Sequence, residues 1–521
     1  MRSIFVLLFL GLSIIYILFP SRAYLGDDLF YASAIEGGNL KDYWMFHSSH
    51  LLYGFTFWPL YKFLQLIRLS FRSIYYLTFL NAILGLVGVF LFYFFSSAFI
   101  KDRMAKIMAT LFLAFSIGFW SQASGGGVYS LENVFLILSF FLIYKSIAVS
   151  GWRNVLIAGF IGGTATLYLN ANILLCLIFC ITHFIKTRSI RKESFMFLST
   201  FFLIVGSAYL IVSFGIKGHT NIPEMLGWVF PSGIKDFTNY NLSLVLPYAA
   251  YAQFRAIFTG EAVKSLLLGK SIFSVVISFI FMLCSVPLFI SICIILVKRF
   301  KLVWRGFRLL IIFSLVWVSS FVLFFSWFAA GNARFFTRNL IPLALIFGLY
   351  LQYLPKIKKI FVLFIIFLVL GNFFGQILHH SNPEYNENLQ YSKLISNKIP
   401  QSSLVLMPGT GESNLGLYLG YFHQINCKSL RYELRDRKNK LASLIESYLA
   451  NNRQVYFVSD LKKVSSAIFI KSIDERRPEY AIEAEMVQGF LRQNHYFLVP
   501  VAEFERNSNY RGNRIYRLLK E

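Results

Sequence analysis

The stretch "YLGDDLFYAS", residues 24–33, comes straight after an apolar run, Ile4 to Phe19, hydrophobic enough to sit in lipid. A carboxylate at mid-bilayer costs about 3 kcal/mol or more, so the adjacent pair Asp27 and Asp28 at the mouth of a membrane segment needs a reason. The rest of the chain sharpens the question. Over 521 residues it is 57% hydrophobic and 18% aromatic, with only 14% charged residues. Soluble domains carry about 25% charged residues, so the composition specifies an integral membrane protein. Net charge is +25, from 50 basic against 25 acidic residues. The basic residues cluster in short segments between apolar runs, where they set topology and meet anionic membrane lipids; the excess does not imply nucleic acid. Cys176, Cys180, Cys284 and Cys293 lie in apolar runs and Cys427 stands alone, so there is no disulfide framework and no metal-spaced cysteine set.

Apolar runs of about 16 to 25 residues read as membrane spans. Eleven are present: 4–20, 73–99, 105–121, 131–148, 154–169, 171–186, 195–215, 271–297, 307–329, 339–354 and 359–378. The loops test that count. "KDRMAK" (101–106), "KSIAVSGWR" (145–153), "KTRSIRK" (186–192), "KRFKLVWRGFR" (298–308) and "KIKK" (356–359) are all basic and follow every second span. They belong to one side, cytoplasmic by the excess of Lys and Arg, which makes this a multi-pass protein of the cell (inner) membrane with a cytoplasmic N-terminus. Ser21-Arg22-Ala23 loosely imitates a signal-peptide cleavage site. The leading run is long for a signal, however, and the register needs an odd number of spans ahead of the second helix.

The other side receives loop 21–72, the turn "SQASGGGVYSLEN" (121–133), loop 217–270 with one or two interfacial helices around "NIPEMLGWVFPSGIKDF", and the polar tail. Inside the first loop, "LLYGFTFWPLYKFLQLIRL" is half apolar, as suits a segment lying in the interface. In the tail, "SSLVLM", "RQVYFVSD" and "HYFLVPV" read as strands, while 440–451 and 481–492 show helical spacing. The fold class is therefore a polytopic α-helical membrane protein, residues 1–380, with a small C-terminal α/β extramembrane domain, residues 381–521. "MPGTGESN" (407–414) imitates a phosphate-cradling turn but lacks its glycine spacing and lysine, and reads as a strand-to-helix turn.

Acids are scarce enough to place one by one. Residues 1–380 hold ten, at positions 27, 28, 36, 42, 102, 132, 193, 224, 236 and 261; eight fall on the outer side and four of those in the first outer loop. Asp27 suits the N-cap of an interfacial helix from Leu29 to Ile35, which accounts for one aspartate and leaves the other. A carboxylate partly desolvated beside a membrane also suits a general base. In "FHSSHLLYG" (46–54), His47 and His50 share a face if the segment is helical; they suit polar contact with an anionic substrate better than a metal, since no third ligand accompanies them. "GVYSLENVF" (127–135) sets Tyr129 and Glu132 at the outer end of the fourth span, where a buried acid is functional by default and a snorkelling one is not. "GNARFFTRNLIPL" (331–343) puts Arg334 and Arg338 on the outer side, four apart, with guanidinium forks suited to phosphate oxygens; as plain residues they would anchor the tenth span at the interface.

The order of these features resembles the GT-C superfamily of membrane glycosyltransferases, which includes protein O-mannosyltransferases and the aminoarabinose transferase acting on lipid A. "GDDLFYASAIEGGNLKDYW" is similar to the family's acidic loop, "HLLYGFTFWPLYKFL" to the stretch after it, "GVYSLENVF" to the entry of the fourth span, and "RFFTRNLIPLAL" to the Arg-Tyr-x-x-Pro-x-x-Pro entry of a late span. The chain departs from that pattern with Asp28 in place of Glu, Asn339 in place of Tyr, and Pro342 alone after Arg338. The resemblance covers about residues 1–380. It implies inverting transfer of a sugar from a polyprenyl-phosphate-linked donor, without a nucleotide sugar, to a protein, lipid or polysaccharide acceptor. Asp27 would be the catalytic base with Asp28 as neighbour or substitute, Glu132 would position the acceptor, and Arg334 and Arg338 would bind donor phosphate. His47 and His50 would line the same cavity. Some members use a divalent cation (Mg or Mn) and others none.

Two other classes share the gross features. A transporter or flippase of an anionic lipid would also have many spans and outer arginines, but the chain shows no matching halves with broken helices. A non-enzymatic envelope assembly factor would use the tail domain to bind partners.

Overall fold

The computed structural model describes residues 2–69, 71–149, 151–189, 192–229, 242–259, 272–329, 332–407, 410–430, 438–459, 484–503 and 514–520. Two compact units divide them: residues 2–21, 31–259 and 272–381 form the first, and residues 22–30 with 382–520 the second.

The first unit is built of helices. Eight are long and apolar enough to cross a membrane, and a ninth if the bent pair Arg103–Phe115 and Ile117–Ser124 is one span. The expected eleven therefore stands at eight or nine among the described residues. The two remaining expected spans are helices of 17 residues each, Arg2–Leu18 and Trp152–Tyr168. At 1.5 Å per residue such a helix is about 25 Å long, short of a hydrocarbon layer about 30 Å thick. The described part of loop 217–270 carries the helices Ile222–Val229 and Leu242–Ile257. Positions 230–241 and 260–271, with Asp236 and Glu261, lie outside the described residues.

Small residues set the closest approaches. Trp152–Tyr168 packs along Lys192–Leu210, and a Cβ at Gly159 would stand 2.9 Å from the Phe197 carbonyl oxygen, so only glycine lets these backbones meet. Ser116 takes extended backbone angles (φ −60°, ψ 130°) and ends the Arg103–Phe115 helix; the next helix leaves at 60°. Of the apolar windows, that within Ala333–Tyr353 is 78% buried, whereas those of Lys192–Lys217 and Val276–Lys298 are 17% buried. The latter two face lipid, and the span that carries the arginines is enclosed by protein. At the basic ends, Lys358 pairs with Asp102 at 2.6 Å, and Lys186 Nζ donates to the Ala148 carbonyl at 3.1 Å. Loops 101–106 and 356–359 thus meet, as do 145–153 and 186–192.

The second unit is a mixed sheet with helices on both faces. Its strands are β1 (Leu404–Met407), β2 (Asn426–Ser429), β3 (Val455–Ser459), β4 (Tyr496–Glu503) and β5 (Arg514–Lys520), in the order β2-β1-β3-β5-β4. β1 runs parallel to β2 and β3, and β5 antiparallel to β3 and β4. Alternation along β1 feeds two cores: Leu404 and Leu406 join Leu441, Ile445 and Phe490, while Val405 and Met407 join Ile395, Leu415 and Leu419. β1 ends at Met407 and a helix starts at Thr410, so "MPGTGESN" spans a strand-to-helix junction. Residues 22–30 are tied in by polar contacts. The Tyr24 N–H donates to Tyr418 Oη at 2.8 Å, and the Tyr418 hydroxyl donates to the Tyr24 carbonyl at 2.9 Å.

Candidate functional site

The entry of the Tyr129–Ala148 helix and the segment Ala333–Asn339 build one polar cluster inside the first unit. Arg338 Nε and Nη2 donate to Glu132 Oε1 at 2.9 and 2.5 Å, and Nη1 donates to the Phe335 carbonyl at 2.9 Å. Both residues are 1% exposed. Asn172 Nδ2 gives Glu132 Oε1 a further hydrogen bond at 3.2 Å, and the guanidinium lies 4.8 Å from the Phe325 ring centroid. Charges this deep are tolerated only as a hydrogen-bonded pair. The Arg338 fork is therefore bonded to Glu132, and Glu132 to Arg338 and Asn172.

Arg334 differs. Its side chain is partly buried, and among the described residues its guanidinium has no ion pair or hydrogen bond. The expected shared face of the two arginines is also absent, because Ala333–Asn339 is a 3-10 helix rather than an α-helix. At three residues per turn, positions four apart point about 120° away from each other. Gln122 braces this segment: its Nε2 donates to the Arg334 carbonyl and to Thr337 Oγ1, both at 3.2 Å. Asn133 Nδ2 in turn holds Gln122 Oε1 at 2.8 Å, and Trp317 Nε1 donates to the Arg338 carbonyl at 3.2 Å. Gly118 lets the segment approach, since a Cβ there would stand 2.8 Å from Thr337 Oγ1. Gln122, Asn133, Asn172 and Trp317 were not anticipated from sequence, although the first three are polar side chains at the ends of apolar runs, a signal in its own right.

His47 and His50 lie in a turn closed by an isolated antiparallel bridge, not on a helix. The His50 N–H donates to the His47 carbonyl at 2.9 Å, and the two rings stand 5.9 Å apart. Burial, aided by nearby Lys217, lowers the His47 pKa to about 4; burial, aided by His47 and Arg338, lowers that of His50 to about 3. Both imidazoles are neutral at pH 7, so they act as polar hydrogen-bonding groups. Around them stand Tyr31, Trp44 and Tyr53, and Tyr129 closes on His50 at 6.1 Å.

Asp27 and Asp28 occupy the first turn of the helix Gly26–Gly37, which begins three residues earlier than expected. The cap consequently falls to the other aspartate: Asp28 Oδ2 accepts the Leu25 N–H at 3.0 Å, the reciprocal arm of a capping box. Asp28 is 3% exposed, while Asp27 is exposed. Among the described residues no three His, Cys, Asp or Glu side chains gather as metal ligands.

No known protein family and no curated protein matches the sequence. Solved structures do match along its whole length. ArnT from Cupriavidus metallidurans in the apo state aligns with a TM-score of 0.60 and 11% identity, over 99% of this chain and 98% of that one. The same protein bound to undecaprenyl phosphate aligns with a TM-score of 0.59 and 11% identity, over the same shares of 99% and 98%. The fold is thus ArnT-like, with a membrane-spanning helical part and a small sheet towards the C-terminus.

Proposed function

We propose that this protein is a membrane glycosyltransferase. It moves a sugar from a polyprenyl-phosphate-linked donor to an acceptor at the extracytoplasmic face. The observation that carries the reading is the full-length likeness to ArnT, one of whose structures holds undecaprenyl phosphate. Arg334 supports it, as a partly buried guanidinium left without a partner among the described residues and braced by Gln122 through its own carbonyl. A guanidinium in that state suits a phosphate group.

In this scheme Arg334 holds the donor phosphate. The acceptor hydroxyl oxygen bonds to C1 of the sugar as the C1–O bond to phosphate breaks, and the carrier leaves as polyprenyl phosphate. Asp27 takes the hydroxyl proton, a role that its exposure permits and that the capping duty of Asp28 leaves to it. A single displacement inverts the anomeric centre. The test incubates purified protein with radiolabelled polyprenyl-phosphate sugars and an envelope extract, and follows loss of label from the lipid. Loss with the native chain and none with Asp27→Asn supports the scheme. Transfer at the native rate by Asp27→Asn overturns the base assignment, and label that stays on every carrier overturns the function.

A further inference from the structure

The basic loops do not spend their charge alike. In 101–106, Lys101 Nζ donates to the Ser97 carbonyl at 3.1 Å, Lys106 Nζ donates to Ser97 Oγ at 3.1 Å, and Asp102 pairs with Lys358. In 186–192, Lys186 Nζ donates to the Ala148 carbonyl. The hairpin 298–308 differs. Its five cations, Lys298, Arg299, Lys301, Arg305 and Arg308, are all exposed. Among the described residues none of the five has an ion pair or a side-chain hydrogen bond, and Arg308 lies over the Trp304 ring, 5.7 Å from its centroid. No acidic residue occurs in sequence between Glu261 and Glu384. Lys and Arg set topology in any loop, but charges left unneutralised at this density repel one another and attract anions.

Helix length places these charges at a headgroup layer. The helix ending at Lys298 and the one starting at Phe300 are separated by Arg299 alone. The span Phe300–Trp327 runs 28 residues, about 42 Å at 1.5 Å per residue. A hydrocarbon layer about 30 Å thick takes about 20 of them. Counted back from Trp327, those 20 end at Arg308 and leave Phe300 to Phe307 beyond the hydrocarbon. The backbone marks the same boundary, since Phe307, which follows Gly306, leaves helical angles (φ −134°, ψ 30°).

Apolar side chains stand open among the cations. Val297 is 76% exposed, Phe300 40% and Leu302 45%, and within 300–307 only Val303 is buried. A soluble anion has no use for them. A phospholipid matches both parts of the surface, with acyl carbons for Phe300 and Leu302 and phosphate oxygens for the guanidinium and ammonium groups. A second basic loop adjoins the first. The Tyr353 ring lies 6.3 Å from that of Phe307 and leads into 356–359, where Lys356 and Lys359 are exposed.

We propose that the hairpin 298–308, with the adjoining Lys356 and Lys359, is a docking surface for anionic phospholipids, held in preference to zwitterionic ones. Its test follows quenching of Trp304, taken as the difference between the full-length protein and its Trp304→Phe counterpart. The micelles carry brominated phosphatidylglycerol or brominated phosphatidylcholine. The native chain should be half-quenched at a lower mole fraction of phosphatidylglycerol than of phosphatidylcholine. Arg305→Gln with Arg308→Gln leaves three cations in the loop to hold topology, and should raise the phosphatidylglycerol requirement roughly 10- to 30-fold. Arg305→Lys with Arg308→Lys keeps the charge and should retain the native curve. Lys145→Gln with Arg153→Gln, in another basic loop, should retain it too. Equal quenching of the native protein by the two lipids overturns the proposal, as does a loss at positions 145 and 153 as large as that at the hairpin. Displacement of the lipid by millimolar glycerol 3-phosphate also overturns it, by making the surface a site for soluble anions.

Discussion

Replacing Glu132 by glutamine isolates the charge in the buried pair, because the amide keeps an oxygen where Oε1 now takes three donors. Those donors are Arg338 Nη2 at 2.5 Å, Arg338 Nε at 2.9 Å and Asn172 Nδ2 at 3.2 Å. Glu132→Gln leaves the Arg338 guanidinium 1% exposed with no counter-charge. An unpaired charge in such a setting costs about 3–5 kcal/mol, or roughly two to three and a half powers of ten in the folding equilibrium. The phenylalanine rings around it offset little, since the nearest centroid is 4.8 Å away and such a contact contributes about 2 kcal/mol at most in a desolvated site. Arg338→Met should cost a similar amount by stranding the carboxylate. Glu132→Leu with Arg338→Met should recover most of the loss, because apolar replacement of both partners removes two desolvation penalties together. Unfolding in mixed micelles of rising denaturing-detergent fraction measures all of these. A Glu132→Gln protein within about 0.5 kcal/mol of the native one, or single losses that add without coupling, would show that the pair is hydrated and that the arrangement described here is wrong.

Arg334→Gln should leave stability within about 0.5 kcal/mol, since its guanidinium has no partner among the described residues, yet weaken binding of polyprenyl phosphate by about tenfold or more; unaltered carrier affinity in a binding titration counts against the phosphate role. Asp27→Asn should reduce label transfer by about 100-fold or more while donor binding persists. Tyr418→Phe should destabilise the second unit by about 1–3 kcal/mol, because three polar contacts converge on that hydroxyl, and melting of its sheet by circular dichroism reads the loss. Stability should be flat above about pH 6.5 and decline as pH falls towards 4 and 3, because the unfolded chain then binds protons that the folded His47 and His50, at about 4 and 3, refuse. Melting temperatures that do not change between pH 7 and 5 exclude the buried neutral imidazoles.

Much of the helical architecture can be read from residue order because lipid demands it: an apolar run with its backbone bonded internally has few alternatives. The number of spans is less legible. Arg2–Leu18 and Trp152–Tyr168 lie in largely apolar runs, yet each helix is 17 residues long, and hydropathy alone does not say where a helix will fray or end. The break at Ser116 is equally silent, since a serine inside an apolar run ordinarily stays helical. In the C-terminal unit, β1, β3 and β4 are short runs rich in apolar, β-branched and aromatic residues, which can be recognised as strands. β2, with the sequence NCKS, and β5, with RIYRLLK, are not, since a polar or edge-adjacent strand draws its stability from its neighbours and carries no apolar run of its own.

Residue type identified the groups of the candidate site, but their partners came from backbone geometry that spacing rules misstate. Arg334 and Arg338 look alike in sequence, and an α-helix would aim them together. The 3-10 turn separates them, and the separation divides two tasks between identical side chains. Arg338 locks the entrance of the enclosed span to the Tyr129–Ala148 helix through Glu132, while Arg334 keeps its charge unspent. The same substitution of turn for helix at His47 and His50 brings two backbone groups, the Ser49 N–H and the Tyr168 carbonyl, onto the Nδ1 atoms. Those contacts give the imidazoles opposite tautomers that no property of the residue type would predict. If either segment were regular α-helix, the two arginines would compete for one anion and the two histidines would be interchangeable. Irregular backbone is what turns duplicated residues into distinct functional groups, and it persists at this depth only because its polar atoms find partners in protein instead of lipid.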